Sequence, residues 1–308
     1  MGVLVHVLVA GGSGFVGGHL VAQLLADRHE VRVMTRHPDA NRHDGATDVF
    51  GDVQDSLTLA GALEGVQAAY YLVHTLDRPD FAERDREGAT AFGKQCTASG
   101  VERVMYLGGL GDESDDLSEH LRSRREVEKI LLAEAPTIAL RAGIVVGEGS
   151  VSWEILCQLV ERLPLMITPR WVQTKTQPIA LTDVVAYLVA LLDLDEIGQH
   201  FEIGAPETLT YKQMLETVAD EKGKSLHILP VPLLSPGLSS HWLRLITDVD
   251  LQTARSLVDS MTNEVVVTDR RLEKLTGHRP MQFIEAVRVA LADRKARRDH
   301  DAQQPPAA

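Results

Sequence analysis

An α/β fold built on a doubly wound parallel sheet is predicted by three observations. The chain opens on a near-continuous apolar run, Val3–Val9, which is the pattern of a strand buried on both faces. A glycine-rich turn and an apolar helical repeat follow it directly. Strand and helix patterns then alternate as far as Ala142, as a sheet with crossover helices on both faces requires.

The turn reads Ala10-Gly11-Gly12-Ser13-Gly14-Phe15-Val16-Gly17, and Phe15, Val16, Leu20, Val21, Leu24 and Leu25 recur behind it at helix spacing. The glycines are spaced G-x-x-G-x-x-G rather than G-x-G-x-x-G. In a strand–turn–helix context they have a physical use. Gly11 permits the tight turn, Gly14 lets backbone approach a ligand, and Gly17 lets the helix lie close to the sheet. The unpaired N–H groups and the positive dipole end of the helix then favour a diphosphate. Gly11, Gly12, Ser13, Gly14, Phe15, Val16 and Gly17 are therefore the expected cradle of a dinucleotide in a Rossmann domain. An ordinary glycine-rich turn is the alternative.

The second strand, Glu30–Met34, runs into Arg36. An NAD-preferring site carries an acidic residue at that strand end. A guanidinium there suits a 2′-phosphate, so NADP(H) is expected in preference to NAD(H). A solvated loop arginine is the other reading. Asp48–Phe50 is a short third strand, and Asp52 and Val53 after it are candidates for the adenine amino group and ring. Ser56 caps a helix to Glu64. Gln67–Val73 is the fourth strand, with His74 and Thr75 at its carboxyl end, where ligands bind in open α/β sheets. His74 either faces the cofactor or is a polar loop residue. Asp80–Ser99 is a long helix whose charges, Glu83 to Glu87, read as a solvated face. Val101–Leu107 is the fifth strand. An acidic loop, Asp112–Asp116, leads to Ser118 and a helix over His120–Ala133, and Thr137–Ala142 is the sixth strand.

The pattern then changes. A helix over Val151–Leu163 is broken by Pro164 and Pro169. Arg170–Gln177 and Pro178–Leu181 read as short strands, and Thr182-Asp183 caps a helix through Leu192. Gln199–Ile203 is a seventh strand returning to the main sheet, and Thr210 caps a helix to Lys222. His227–Val231, a proline-interrupted apolar stretch Leu233–Ile246, Asp250–Met261, a short strand Glu264–Val267 and Phe283–Leu291 complete a smaller C-terminal α/β substrate lobe. The expected boundaries are 1–163 for the nucleotide-binding domain (completed by about 178–204), 164–293 for most of the lobe, and 294–308 for a disordered tail.

Composition narrows the function. A formal net charge of −13 repels nucleic acid and anionic membrane. No apolar run spans a bilayer, and no secretory signal is evident, so a cytoplasmic protein is expected. The 2 cysteines, Cys96 and Cys157, read as buried free thiols. The 12 histidines show no metal-binding spacing, so no metal is expected.

With these motifs in hand, the chain resembles the extended and atypical short-chain dehydrogenase/reductase superfamily over roughly residues 3–292. Within it the chain is most similar to the atypical NAD(P)H-binding proteins of the NmrA-like group and the 39-kDa-type accessory subunit of respiratory complex I. The resemblance is carried by 10–17, Gly-Asp-Val at 51–53, Tyr-Tyr-Leu-Val-His at 70–74, Tyr-Leu-Gly-Gly-Leu-Gly at 106–111, Leu-Arg-Ala-Gly-Ile-Val-Val-Gly at 140–147, Gln-Pro-Ile-Ala-Leu-Thr-Asp-Val at 177–184 and Phe-Glu-Ile-Gly-Ala-Pro-Glu at 201–207. Typical members use a Ser or Thr after the fifth strand and a Tyr-x-x-x-Lys on the next helix. Here Gly108-Gly109 stands at the first place, His120 falls at the tyrosine position and Arg124 at the lysine position, with Glu128 in register behind them. The resemblance implies an atypical oxidoreductase that passes hydride between NADPH and a small carbonyl, enone or quinone-like acceptor, with His120 as proton donor and Arg124 holding the nicotinamide ribose. Epimerase or dehydratase chemistry on nucleotide sugars is disfavoured, because it leans on the missing pair. The alternative is a non-catalytic NADPH sensor or an accessory subunit with a redox-complex partner. The small-molecule substrate is not specified by any motif.

Overall fold

The computed structural model describes residues 4–37, 43–74, 78, 80–111, 116–230 and 251–303. The chain divides into two units. The first comprises residues 1–142, 184–203 and 267–279, and the second comprises residues 143–183, 204–266 and 280–308.

In the first unit the order is β1 (His6–Ala10), α1 (Phe15–Ala26), β2 (Glu30–Thr35), β3 (Thr47–Phe50), α2 (Ser56–Ala62), β4 (Ala68–Tyr71), α3 (Phe81–Ala98), β5 (Arg103–Gly109), α4 (Glu119–Glu134) and β6 (Thr137–Ala142), joined later by the strand Gln199–Ile203. The sheet has seven strands in the order Gln199–Ile203, β6, β5, β4, β1, β2, β3. Every pairing is parallel. The strand order reverses beside β1, which places a crevice at the carboxyl ends of β1, β2 and β4.

The side chains explain these elements. Val7, Leu8, Val9 and Ala10 of β1 are fully buried, as a central strand covered on both faces requires. Gly17, Leu20, Val21 and Leu24 form the buried stripe of α1 at helix spacing. On one side of the sheet Leu8, Tyr71, Phe92, Cys96, Tyr106 and Leu131 belong to one core cluster. Tyr70 is also fully buried, and its hydroxyl donates to the Leu188 carbonyl oxygen at 2.9 Å.

Some local expectations are corrected. Asp55, not Ser56, caps α2, because its carboxylate accepts the Leu57 N–H. The β5 strand runs on to Gly109, since Gly108 and Gly109 stay in register with Arg141 and Ala142 of β6. Ser118 caps α4 by accepting the Leu121 N–H at 3.2 Å, as expected.

The second unit holds helices Val151–Arg162, Tyr211–Glu221, Leu251–Ser260 and Phe283–Gln303 with short strands Val145–Val146, Leu165–Thr168, Lys175–Thr176, Ile179–Ala180, Leu209–Thr210 and His227–Pro230. Residues 143–163 belong here rather than to the nucleotide-binding domain. The reason is packing: Trp153, Leu156 and Val160 share one core with Tyr211, Met214, Phe283 and Val287. Arg170–Gln173 is a 3-10 helix rather than a strand, entered from the extended Pro169. The expected strand at Glu264–Val267 is reduced to one bridge, Val265 to Thr176. Thr210 and Gln213 form a reciprocal capping box on their helix. The last helix runs to Gln303 instead of ending near Leu291, and ion pairs of Arg294 with Glu154 and Arg297 with Glu148 accompany the extension. The apolar stretch Leu233–Ile246, Thr75 and residues 112–115 of the acidic loop lie outside the described residues. Among the described residues no helix is long and apolar enough to cross a membrane.

Candidate dinucleotide site

A cleft of about 440 Å³ opens at the carboxyl ends of β1, β2 and β4. It brings together Gly11, Ser13, Gly14, Arg36, Asp52, Val53 and His74. Gly12 and Gly17 are buried behind the turn, and Phe15 and Val16 are half-buried in the first turn of α1.

The glycine turn fits a diphosphate. Gly11 has φ +89°, where an L side chain is strained, and a β-carbon on it would stand 2.8 Å from the Leu72 carbonyl. A β-carbon on Gly17 would stand 2.1 Å from the Gly11 oxygen. The sequence-based reason for Gly17 therefore changes: it clears the turn itself rather than the sheet. The Gly14 N–H closes the turn onto the Gly11 oxygen at 3.0 Å. Gly14 is also the N-cap of α1, which has no side-chain cap and no acidic residue in its first turn. Among the described residues no side chain caps the leading N–H groups of α1, the arrangement that suits an anion. His43 Nε2 lies 3.1 Å from the Gly12 carbonyl oxygen and braces the turn from outside.

Arg36 is exposed one residue beyond β2 and borders the cleft beside His37. Asp52 half-faces it, with one carboxylate oxygen accepting the Gln54 N–H at 2.9 Å. Val53 is 6% exposed. Gly51 abuts the Met34 side chain, where a β-carbon would stand 2.7 Å from Met34 Cγ.

At the other end His74 Nδ1 lies 3.1 Å from Asp85 Oδ2. The His74 ring stacks on His120, with centroids 5.1 Å apart and planes at 26°. Burial, then the neighbouring His74 and Arg124, hold the His120 imidazole well below its ordinary pKa, so it is neutral near pH 7. Arg124 turns back onto β5. Its guanidinium lies 5.0 Å over the Tyr106 ring and donates to the Leu107 oxygen, and the Tyr106 hydroxyl donates to the Arg124 carbonyl at 3.0 Å. One Arg124 nitrogen, Nη1, is buried without a hydrogen-bond partner among the described residues. His120 thus reaches the cleft through His74, whereas Arg124 is held against the strand. Burial pushes the phenols of Tyr71 and Tyr106 far up, with Asp85 raising Tyr71 further and Arg124 opposing in both, so both stay protonated.

Sequence reasoning missed Asp85. It is 4% exposed and borders the cleft, although its run of charges reads as a solvated face. The available signal was its spacing: Phe81, Asp85, Ala89, Phe92 and Cys96 share the buried stripe of α3. Glu128, in register behind His120 and Arg124, does not enter the site. It is 2% exposed and receives Arg141 Nε at 3.0 Å and Arg125 Nη1 at 3.3 Å. Among the described residues no group of three His, Cys, Asp or Glu side chains is placed to hold a metal ion.

Fold and cleft together define a Rossmann-type NAD(P)H-binding protein. Residues 11–139 match the model of a family described as NAD(P)H-binding. The chain is 24% identical to a UDP-glucose 4-epimerase of Vibrio cholerae, over 91% of this chain and 92% of that one. It is 26% identical to a ceramide reductase of Caulobacter vibrioides, over 62% of each. Among solved structures, the Bordetella bronchiseptica enzyme WbmG in complex with NAD and UDP superposes with a TM-score of 0.73 at 18% identity, covering 94% of both chains. The chain is similar to NAD(P)-binding oxidoreductases and epimerases of the extended and atypical short-chain dehydrogenase/reductase kind.

Proposed function

We propose that the protein is an NADP(H)-dependent oxidoreductase acting on a small carbonyl, enone or quinone-like acceptor. The observation that carries the reading is the start of α1, without a side-chain cap, opening onto a cleft that has Arg36 at one end and His74, with His120 stacked behind it, at the other. When bound, the dinucleotide supplies a hydride to the acceptor carbon. The chain's own groups do the rest. The α1 N–H groups bind the diphosphate. Arg36 binds the 2′-phosphate through charge-assisted bonds. His120, at the position that the resemblance assigns to tyrosine, offers an N–H to the oxygen that gains charge. Hydride arrival leaves an anionic oxygen; neutral His120 stabilises it by hydrogen bonding, and solvent water supplies the proton that completes the reduced product. Arg124 Nη2 is engaged by the Leu107 carbonyl, and Nη1, buried without a partner among the described residues, is the group that would turn to the ribose.

No tyrosine stands on α4, and epimerisation is the less favoured chemistry because it needs that group twice, as base in the oxidation and as acid in the return reduction. A second reading, an NADPH-binding sensor or accessory subunit, is favoured by the engagement of Arg124 with β5. Following NADPH absorbance over a panel of quinones, enones and aldehydes separates the two. Saturable oxidation that falls about 100-fold or more in His120→Ala is the expected result. Tight binding with no turnover of any acceptor would establish the sensor reading instead.

The cofactor preference has its own check. Arg36→Asp is expected to weaken NADPH by about 10- to 150-fold, the loss of one charge-assisted contact worth about 1.5–3 kcal/mol. NADH affinity should stay within about twofold by calorimetry. Equal losses for both would remove Arg36 from 2′-phosphate recognition.

A further inference from the structure

We propose that Asp85 is the positioning residue of this site: its carboxylate fixes the tautomer of His74, and through the stacked rings it fixes the plane of His120. Three observations converge on it. Asp85 Oδ2 lies 3.1 Å from His74 Nδ1 and accepts the Ser123 hydroxyl at 3.4 Å. Asp85 is buried, on a helix stripe otherwise made of apolar residues. The two imidazoles lie nearly face to face, so a ring that turns disturbs its neighbour.

The chemistry follows from what each group is able to do. An ionised carboxylate only accepts hydrogen bonds, so the nitrogen that faces it must carry the proton. In neutral His74 this leaves Nε2 as the basic nitrogen. The side chain then has one tautomer and one orientation, set from α3. Ser123, one turn along α4 from His120, shares the same carboxylate oxygen, so Asp85 ties α3, the end of β4 and α4 to one atom. Burying a carboxylate is costly, and a small apolar residue would pack this stripe at lower cost. A carboxylate retained beside a ligand cleft and bonded to an imidazole points to work on that imidazole.

The catalytic part of this role rests on the oxidoreductase reading, whereas the tautomer does not. Nitrogen-15 spectra of the ligand-free protein, with His74 assigned by comparison with His74→Gln, report which ring nitrogen is protonated. The expected result is Nδ1–H in the wild type and a shift toward Nε2–H in Asp85→Asn, whose amide is able to donate. For the acceptors turned over, Asp85→Asn should lower kcat about 100-fold while NADPH affinity stays within twofold. A wild-type His74 protonated on Nε2 overturns the proposal, and so does an Asp85→Asn enzyme with kcat within twofold of wild type. If Asp85→Asn does not fold, the wild-type spectrum alone decides. If no acceptor is turned over, the oxidoreductase reading fails and the spectra still settle the tautomer.

Discussion

Replacing Glu128 with alanine is expected to destabilise the nucleotide-binding unit by about 3–5 kcal/mol, a large share of what holds an ordinary domain folded. The carboxylate sits between two guanidinium groups that are themselves buried, Arg125 at 6% and Arg141 at 7% exposure. Arg141 approaches it through Nε and Nη2, and Arg125 through Nη1, while Arg125 Nη2 donates to the Gly111 oxygen at 2.7 Å. Removing the anion leaves two cations close together in a poor dielectric. Removing the whole triad in favour of apolar residues should cost far less, because the charges and their desolvation disappear together. Urea unfolding of Glu128→Ala against a Glu128→Leu, Arg125→Met, Arg141→Leu variant measures the difference. A single variant within 1 kcal/mol of wild type would show that the carboxylate is not what neutralises the pair.

Substituting Gly17 with alanine is expected to weaken NADPH and NADH alike by about 100-fold or more, as one or two charge-assisted hydrogen bonds to the diphosphate are lost at about 1.5–3 kcal/mol each. The new methyl group would lie 2.1 Å from the Gly11 oxygen and 2.8 Å from the Gly12 α-carbon. Both are backbone atoms, so no flexible side chain is able to yield, and the turn must move. Alanine is a better helix former than glycine, so the helix itself is not harmed. Calorimetry with both dinucleotides, beside circular dichroism to check the fold, gives the answer. Unchanged affinity in a folded variant would mean that the diphosphate does not sit on this turn.

The contrast between these residues shows what a sequence discloses. The sheet was legible because its strands are continuous apolar runs between turn residues, and the edges of β6 and of Gln199–Ile203 match the expectation to the residue. The glycine turn was legible because backbone geometry admits few other residues there. Arg36, Asp52 and His74 were legible as strand-end positions. Asp85 and Glu128 were not, because charge on a helix usually marks solvent. Their periodicity carried the opposite message: Asp85 stands four residues from Phe81 and from Ala89, and Glu128 three from Leu131 and from Arg125. The side to which Arg124 turns depends on Tyr106, eighteen positions away on another element, and no local pattern encodes it.

The two sulfhydryl groups bear on how the folded protein endures oxidants. Cys96 and Cys157 are both fully enclosed, and burial lifts the Cys157 thiol to about 11 and that of Cys96 further still. Thiolate is the form that attacks peroxides and quinones, and neither residue supplies it at physiological acidity. The folded protein therefore presents no exposed thiol to an oxidant or an electrophile, and it should tolerate air without added reductant.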